Sequence, residues 1–396
     1  MKRLLILGGG FLQNFVIIKA KQLGYEVFVL DANPNSTGFK YADAYSVINI
    51  VDEEACLSYA IENRVDGVLT AATDYSVLAM SRIASEMGLP GINYDSAKII
   101  KNKAIVRKCL FEAKADDSGI SFEVTSLEMV SGILPKIEFP VMVKPCDGSG
   151  SRGASRVDNP EDLEKACEFA MAASISHRAV VEPFVVGKEY GVEIFVDQGV
   201  IHVLSVIQKE MTLPPYYAEL GHAIPSGLSM ELELKIKECV CKALKAIGVN
   251  HGSINMDLLV NDEQVYIVDV GARMGGNLIG SHIIPIGTGI DYMGNMIKAA
   301  VRDPVDFSPL HKSLPVATKL LALTPGVVQE LPNFEQISSE YNVVIEHHLH
   351  VGDQINEYHT NLDGCGYVIA NGMTVQDAIN RATLVKKIID KSIVRK

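Results

Sequence analysis

Four apolar residues in a row, Leu4-Leu5-Ile6-Leu7, run straight into Gly8-Gly9-Gly10, and this junction limits the fold more than any other stretch. A short continuous apolar run bounded by glycine is the pattern of a buried parallel strand. A parallel strand needs a crossover to reach its neighbour, and the next residues supply one. A helical pattern from Phe11 to Leu23 stops at Gly24, and Glu26-Val27-Phe28-Val29-Leu30-Asp31 reads as the following strand. Asp66 to Thr70 is another strand, followed by a helix from about Tyr75 to Met87. Residues 1–95 therefore read as a doubly wound α/β unit.

The pattern changes after that. Lys98 to Ala113 reads as one helix rich in Lys and Arg. Beyond a polar break at 116–118 comes the strand Val141-Met142-Val143-Lys144, ended by Pro145, and then a loop from Asp147 to Ser155 made almost only of Gly, Ser, Asp and Arg. Pro160 to Ala173 is helical in pattern, and the strands Val180–Glu182 and Glu189–Val196 flank a Pro-Phe-Val-Val-Gly connector. Glu231 to Ile247 is an amphipathic helix. Met256–Val260 and Gln264–Val270 form a hairpin pattern around Asn261-Asp262, with a second Gly-rich stretch over 271–280. From about Pro309 short strand patterns dominate (Ala317–Ala322, Val343–Ile345, Gly366–Ile369), and a helix from Val375 to Asp390 closes the chain. The expected division is 1–95, 96–308 and 309–396, the last a small α+β domain.

With 396 residues, 48% of them hydrophobic, the chain can build two or three packed cores. Its formal charge of −12 repels phosphate backbones, so no nucleic-acid partner is expected. No stretch approaches the roughly 20 apolar residues that span a bilayer, and the Leu4–Leu7 run is too short for a signal-peptide core. No membrane partner is expected. The seven cysteines are scattered with no CxxC pair, which fits thiols in a reducing cytoplasm better than disulfides.

Candidate chemistry gathers at a few places. Lys144 ends a buried strand just before Pro145 and Asp147-Gly148-Ser149-Gly150-Ser151-Arg152-Gly153. Glycines let backbone N–H groups turn toward an anion, serines add donors, and a lysine at the mouth adds a point charge. A Gly/Ser loop alone is more often a plain surface loop. The coupling of buried strand, Lys, Pro and loop favours phosphate binding, although no Walker A sequence occurs. Asp257 and Asp269 are each embedded in apolar residues on the two hairpin strands. Buried carboxylates need partners, and two on adjacent strands can hold Mg²⁺ together with substrate phosphates. Either one singly is compatible with a solvent-facing strand position. Arg273, in Gly-Ala-Arg-Met-Gly-Gly, offers a fork of donors to a carboxylate or phosphoryl group, or is a solvated loop arginine. Glu182 and Glu189 flank the connector and are candidates for a ribose or an adenine amine, against a surface reading for each. His347, His348 and His350 cluster, and on a strand His348 and His350 share a face, so a metal site competes there with a merely polar strand face. Asp74 lies after a strand, as pocket residues often do.

Together these segments resemble the ATP-grasp superfamily, in the branch with an N-terminal Rossmann-like domain, and most of all its L-amino-acid ligases. The likeness covers nearly the whole chain. It implies an N-terminal Rossmann-like pre-ATP-grasp domain (1–95), a two-subdomain ATP-grasp core (about 96–180 and 181–308) and a C-terminal α+β domain (309–396). It places Lys103 and Lys144 at the two phosphate-binding lysines, and Gly148, Ser149, Gly150, Ser151 and Gly153 in the loop that covers the ATP phosphates. It gives Glu182 and Phe184 the adenine hinge, Glu189 the ribose, Asp257 and Asp269 the metal, and Arg273 the acyl phosphate, with Lys144 and Arg273 in the chemistry. ATP with one or two Mg²⁺ (or Mn²⁺), a small carboxylate and an amine as substrates, a homodimer and a cytoplasmic location follow by the same analogy. The family usually has Glu at the position of Asp269 and Asn at that of Gly271, which removes one metal ligand.

The implied reaction is an ADP-forming ligation: the carboxylate attacks the γ-phosphorus and the amine then attacks the acyl phosphate, while the glycine-rich loop keeps water out. Three rivals stand beside it: a regulator on a degenerate ATP-grasp scaffold, for which Gly271 speaks; a purine-biosynthesis-type ribonucleotide carboxylase or ligase; and a nicotinamide-dependent oxidoreductase, for which Gly8-Gly9-Gly10 and Asp31 speak although the full GxGxxG is missing.

Overall fold

A computed structural model describes residues 1–147, 153–213 and 216–396. Its first layer is a four-stranded parallel sheet in the order Ala44–Val47, Glu26–Asp31, Arg3–Leu7, Gly67–Leu69. Ile6 lies between Val29 on one side and Leu69 on the other. Leu4 to Leu7 are fully buried, which is why this strand is apolar on both faces.

The expected helix over 98–113 is two helices, Tyr94–Ile100 and Lys103–Ala113. Asn102 breaks them: its side chain accepts hydrogen bonds from the N–H groups of Ala104 and Ile105, capping the second helix. Lys103 is therefore the first residue of a helix rather than one of its middle turns. Its backbone N–H donates to the Cys146 carbonyl at 2.7 Å, tying it to the end of the Lys144 strand.

That strand, Val141–Pro145, lies in a second sheet of four antiparallel strands, between Ala179–Pro183 and Ser155–Val157, with Phe122–Val124 at the far edge. The third sheet has eight strands in the order Gln264–Gly271, Gly252–Asn261, Lys188–Asp197, Val200–Met211, Glu219–Ile224, Val316–Leu320, Gly366–Asn371, Val344–His347. Its last three strands come from beyond position 308, while Gln354–Ile355, Gly326–Glu330 and Val394–Arg395 form a separate three-stranded sheet. Two strands of the eight-stranded sheet, Val200–Met211 and Glu219–Ile224, have no counterpart among the strands read from the sequence.

The helix Met230–Ile247 covers one face of this sheet. Ser229 caps it by accepting from Leu232 N–H, and Gly248 ends it in the left-handed region at φ 79°. Ile236, Val240, Leu244 and Ile247 are buried at helical spacing. Each such side chain stabilises the fold by about 1.5–3 kcal/mol. Their cluster also contains Leu5, Phe28 and Val68 of the first sheet, so one apolar core joins the N-terminal unit to the central one. The chain closes on the helix Val375–Ser392, whose Thr374 and Asp377 form a reciprocal capping box. Among the described residues no helix is long and apolar enough to cross a membrane, and all seven cysteines are free.

Candidate functional site

The ends of these elements meet at a cleft of about 460 Å³, lined among others by Asp74, Lys103, Asp147, Asp257, Asp269 and Arg273. Asp257 and Asp269 are register partners on adjacent antiparallel strands, and a bulge follows directly after Asp257. Their side chains are 29% and 40% exposed, so they belong to the cleft wall rather than to the core.

Each carboxylate meets a lysine. Lys103 Nζ lies 2.6 Å from Asp269 Oδ1. Burial would raise the Asp269 carboxyl, but Lys103, and behind it Lys144 and Arg107, hold it below the ordinary carboxylate range. Lys144 Nζ lies 2.6 Å from Glu182 Oε1, while Arg107 Nε donates to Glu182 Oε2 at 2.5 Å. Glu182 is thus a buried acid between two cations, not a surface glutamate. Burial pushes it up, and the two cations outweigh that and bring it down to about 2. Arg107 also donates to the Ile267 and Val268 carbonyls, at 2.6 Å each, fixing the strand that carries Asp269. Phe184 N–H donates to the Pro140 carbonyl at 3.1 Å, and Arg156 stacks over its ring at 4.4 Å.

A second cluster sits across the hairpin. Lys209 Nζ lies 2.5 Å from Glu219, 2.7 Å from Asp257 and 3.2 Å from Glu189. Glu189, Glu219 and Asp257 each bring one oxygen within 4.8 Å of the others, and Asp269 does not join that group. Burial lowers and the three carboxylates raise the Lys209 ammonium, and the carboxylates prevail. Glu189 goes the other way: burial, with Asp257 and Glu219 nearby, leaves it above its usual value despite Lys209.

Asp147 and Gly153 flank the residues expected to cover the phosphates. Asp147 accepts from Ser174 Oγ at 2.6 Å and from the N–H groups of Ile175 and Ser176 at 3.0 and 2.8 Å. Gly153 has φ 76°, and a Cβ there would come within 2.5 Å of the Ala173 side chain, so this position takes glycine for both conformation and space. Gly148, Ser149, Gly150, Ser151 and Arg152 lie outside the described residues.

Arg273 donates from Nη2 to Asp74 Oδ2 at 3.0 Å. Beneath it Glu193 is fully buried and accepts from Asn255 Nδ2 at 2.6 Å and Gly275 N–H at 3.0 Å. Burial raises Glu193 to about 7, and these donors only partly offset it. Asn277 donates to Glu219 and accepts from Tyr367 Oη, so the C-terminal strand reaches the same cluster.

One sequence reading is corrected. The strand bearing the histidines ends at His347, so His348 and His350 do not share a strand face. His347 stacks on Phe334 with ring centroids 3.9 Å apart, His348 Nε2 pairs with the Gly364 carbonyl, and His350 lies at the surface, so these rings converge on no common point. At the glycine triplet, Gly9 N–H donates to Asp31 Oδ2 at 2.8 Å, so the two features that spoke for a dinucleotide are bonded to each other.

Arg107, Lys209, Glu219 and Glu193 were not singled out by sequence. For Lys209 a signal existed. Asp197-Gln198-Gly199 is a hairpin turn, Asp197 pairs with Val200, and following that register with one bulge brings position 209 opposite 189.

Residues 137–281 match the ATP-grasp domain model, and residues 319–391 match L-amino acid ligase C-terminal domain 2. The chain is 24% identical over 311 residues to the uncharacterized protein y4rH of Sinorhizobium fredii, covering 77% of this chain and 64% of that protein. It is 26% identical over 284 residues to the formate-dependent phosphoribosylglycinamide formyltransferase of Methanocaldococcus jannaschii, covering 68% of this chain and 69% of that one. The crystal structure of L-amino acid ligase from Bacillus licheniformis superposes with a TM-score of 0.84 at 21% identity, over 100% of this chain and 99% of that one.

Proposed function

We infer that this chain, an ATP-grasp protein that ends in an L-amino acid ligase C-terminal domain, joins a small carboxylate to an amine with ATP, releasing ADP and phosphate. The observation that carries the reading is that Lys103 by contact and Lys144 by charge both act on Asp269, in a cleft that Lys103, Asp257, Asp269 and Arg273 line together.

Lys103 and Lys144 bind the nucleotide phosphates, each exchanging a carboxylate partner for a phosphate oxygen. Glu182 and Phe184 line the adenine hinge, and Glu189 takes the ribose. Asp257 and Asp269, with Glu189 and Glu219 close to Asp257, offer the hard oxygen donors that suit Mg²⁺. When bound, Mg²⁺ neutralises phosphate charge. A substrate carboxylate oxygen then bonds to the γ-phosphorus as the bond to the β-bridging oxygen breaks, giving ADP and an acyl phosphate. Arg273 steadies the charge on the transferring group. The amine attacks the acyl carbon, phosphate leaves, and the amine gives up a proton. An amino acid as the carboxylate is the reading best supported by the C-terminal domain match. Free cysteines support a cytoplasmic location, and the homodimer expected by family analogy is tested by sedimentation velocity.

The decisive experiment is phosphate release with ATP and Mg²⁺ against pairs of amino acids and small acids. Lys144→Ala and Asp257→Ala each abolish ADP formation while circular dichroism stays that of the wild type. Near-normal turnover in either variant refutes the site, and substrate-independent silence of the wild type favours the regulator.

A further inference from the structure

We propose that Asp74, contributed by the N-terminal unit, is the positioning residue that holds Arg273 in its working place. The assignment rests on the ligase reading for what Arg273 does, and on three separate observations for the tie itself.

The first is the contact. Among the described residues, the one hydrogen bond from the Arg273 side chain goes to Asp74, and its Nε is buried with no partner. A guanidinium in a partly enclosed wall with a single anchor has its direction set by that anchor. Glu193 and Asp257 lie near enough to act on Arg273 through charge, but neither receives a hydrogen bond from it.

The second is the backbone. Ala71 and Met274 form an isolated parallel bridge between the two units, and Ala72 N–H donates to the Met274 carbonyl at 3.1 Å. Met274 follows Arg273 directly, and Asp74 comes three residues after Ala71. The bridge therefore fixes the register in which the carboxylate and the guanidinium face each other.

The third is space. A Cβ on Gly271 would lie 3.1 Å from Asp74 Oδ1 and 3.4 Å from Arg273 Cζ. The carboxylate occupies room that a side chain at 271 would need. Gly271 is then more than a missing ligand: its bareness admits Asp74 to the site.

A positioning role predicts a specific split. Asp74→Ala lowers kcat for ADP formation about tenfold and leaves the affinity for MgATP within about twofold, since Asp74 holds the arginine and not the nucleotide. Asp74→Asn, which keeps an oxygen for Nη2, recovers part of that loss. In an Arg273→Ala background, Asp74→Ala costs nothing further. Calorimetry with MgATP and phosphate release with the substrate pair found in the screen read these quantities. The same four proteins are also unfolded in urea, where coupling between the two positions of about tenfold in the unfolding constant is expected. That arm needs no substrate, so a wild type that forms no ADP sinks the ligase reading while the tie is still tested. Additive effects in urea, a kcat for Asp74→Ala within twofold of wild type, or a further loss in the Arg273→Ala background overturns the proposal.

Discussion

Replacing Arg107 with Met tests whether Lys144 stands on a buried charge cluster. Arg107 is 7% exposed and makes three short bonds: 2.5 Å to Glu182 and 2.6 Å to each of two backbone carbonyls. Methionine fills much of the space and satisfies none of them. Glu182 keeps Lys144 as its one cation, and the Ile267 and Val268 carbonyls lose a donor. Breaking one side of a buried ion pair costs about 3–5 kcal/mol. The depressed Glu182 carboxyl gives a second figure of the same order. The Glu182 carboxyl falls from 4.5 to about 2 on folding, which corresponds to about 3 kcal/mol at neutral pH. The folded value is depressed, so this stability is fully present above pH 4.5 and is lost as the pH falls from there through about 2. Urea unfolding followed by circular dichroism at pH 7 and pH 3 measures both effects. We expect Arg107→Met to lose about 4 kcal/mol at pH 7 and to show a shallower acid limb, because its Glu182 titrates closer to the unfolded value. A loss under about 1 kcal/mol at pH 7 would refute the reasoning. So would an acid limb like that of the wild type.

Glu193→Gln keeps an acceptor for Asn255 and Gly275 but cannot ionise. The folded Glu193 carboxyl is raised to about 7, so the stability it contributes is present below pH 4.5 and lost as the pH rises through 7. We expect the variant to match or exceed wild-type stability at pH 8 and to lack that limb; thermal melts from pH 5 to 8 decide it. Lys209→Met removes the cation that three carboxylates share. Mn²⁺ should then bind without nucleotide, seen by electron paramagnetic resonance as loss of the free-ion signal, where the wild type leaves that signal unchanged.

Much of this architecture was legible because its elements are locally consistent. Leu4 to Leu7 had to be buried on both faces, and the 252–261 and 264–271 strands announced their hairpin through Asn261-Asp262. Lys144, Asp257 and Asp269 stood out because a charge inside an apolar run demands an explanation. Arg107 gave no such contrast. It lies in a helix that also carries Lys103 and Lys108, and nothing local marks which of them points inward. Glu193, between Val192 and Ile194, does carry the contrast that marks Asp257, but its partners Asn255 and Gly275 are 62 and 82 residues away, so its neighbours in sequence do not show what it meets. Lys209 and Glu219 lie on strands whose polar content hid them, and their proximity to Asp257 depends on sheet order. Sheet order is a long-range choice that a single segment does not encode.

Four of the cations at and behind the cleft follow one rule. Lys103 rests on Asp269, Lys144 on Glu182, Lys209 on Asp257 with two glutamates, and Arg273 on Asp74. Pairing stabilises the empty cleft, since an isolated charge in such a wall would be costly. It also sets what can enter. A bare polyphosphate can take the lysines only by stranding their carboxylates, and a bare divalent ion can take the carboxylates only by stranding the lysines. On the proposed function, a magnesium nucleotide supplies anion and cation together, so each of these groups that loses a partner gains one. That function would then draw its selectivity for the complex over either component from the pairs themselves, with no residue dedicated to recognising the combination.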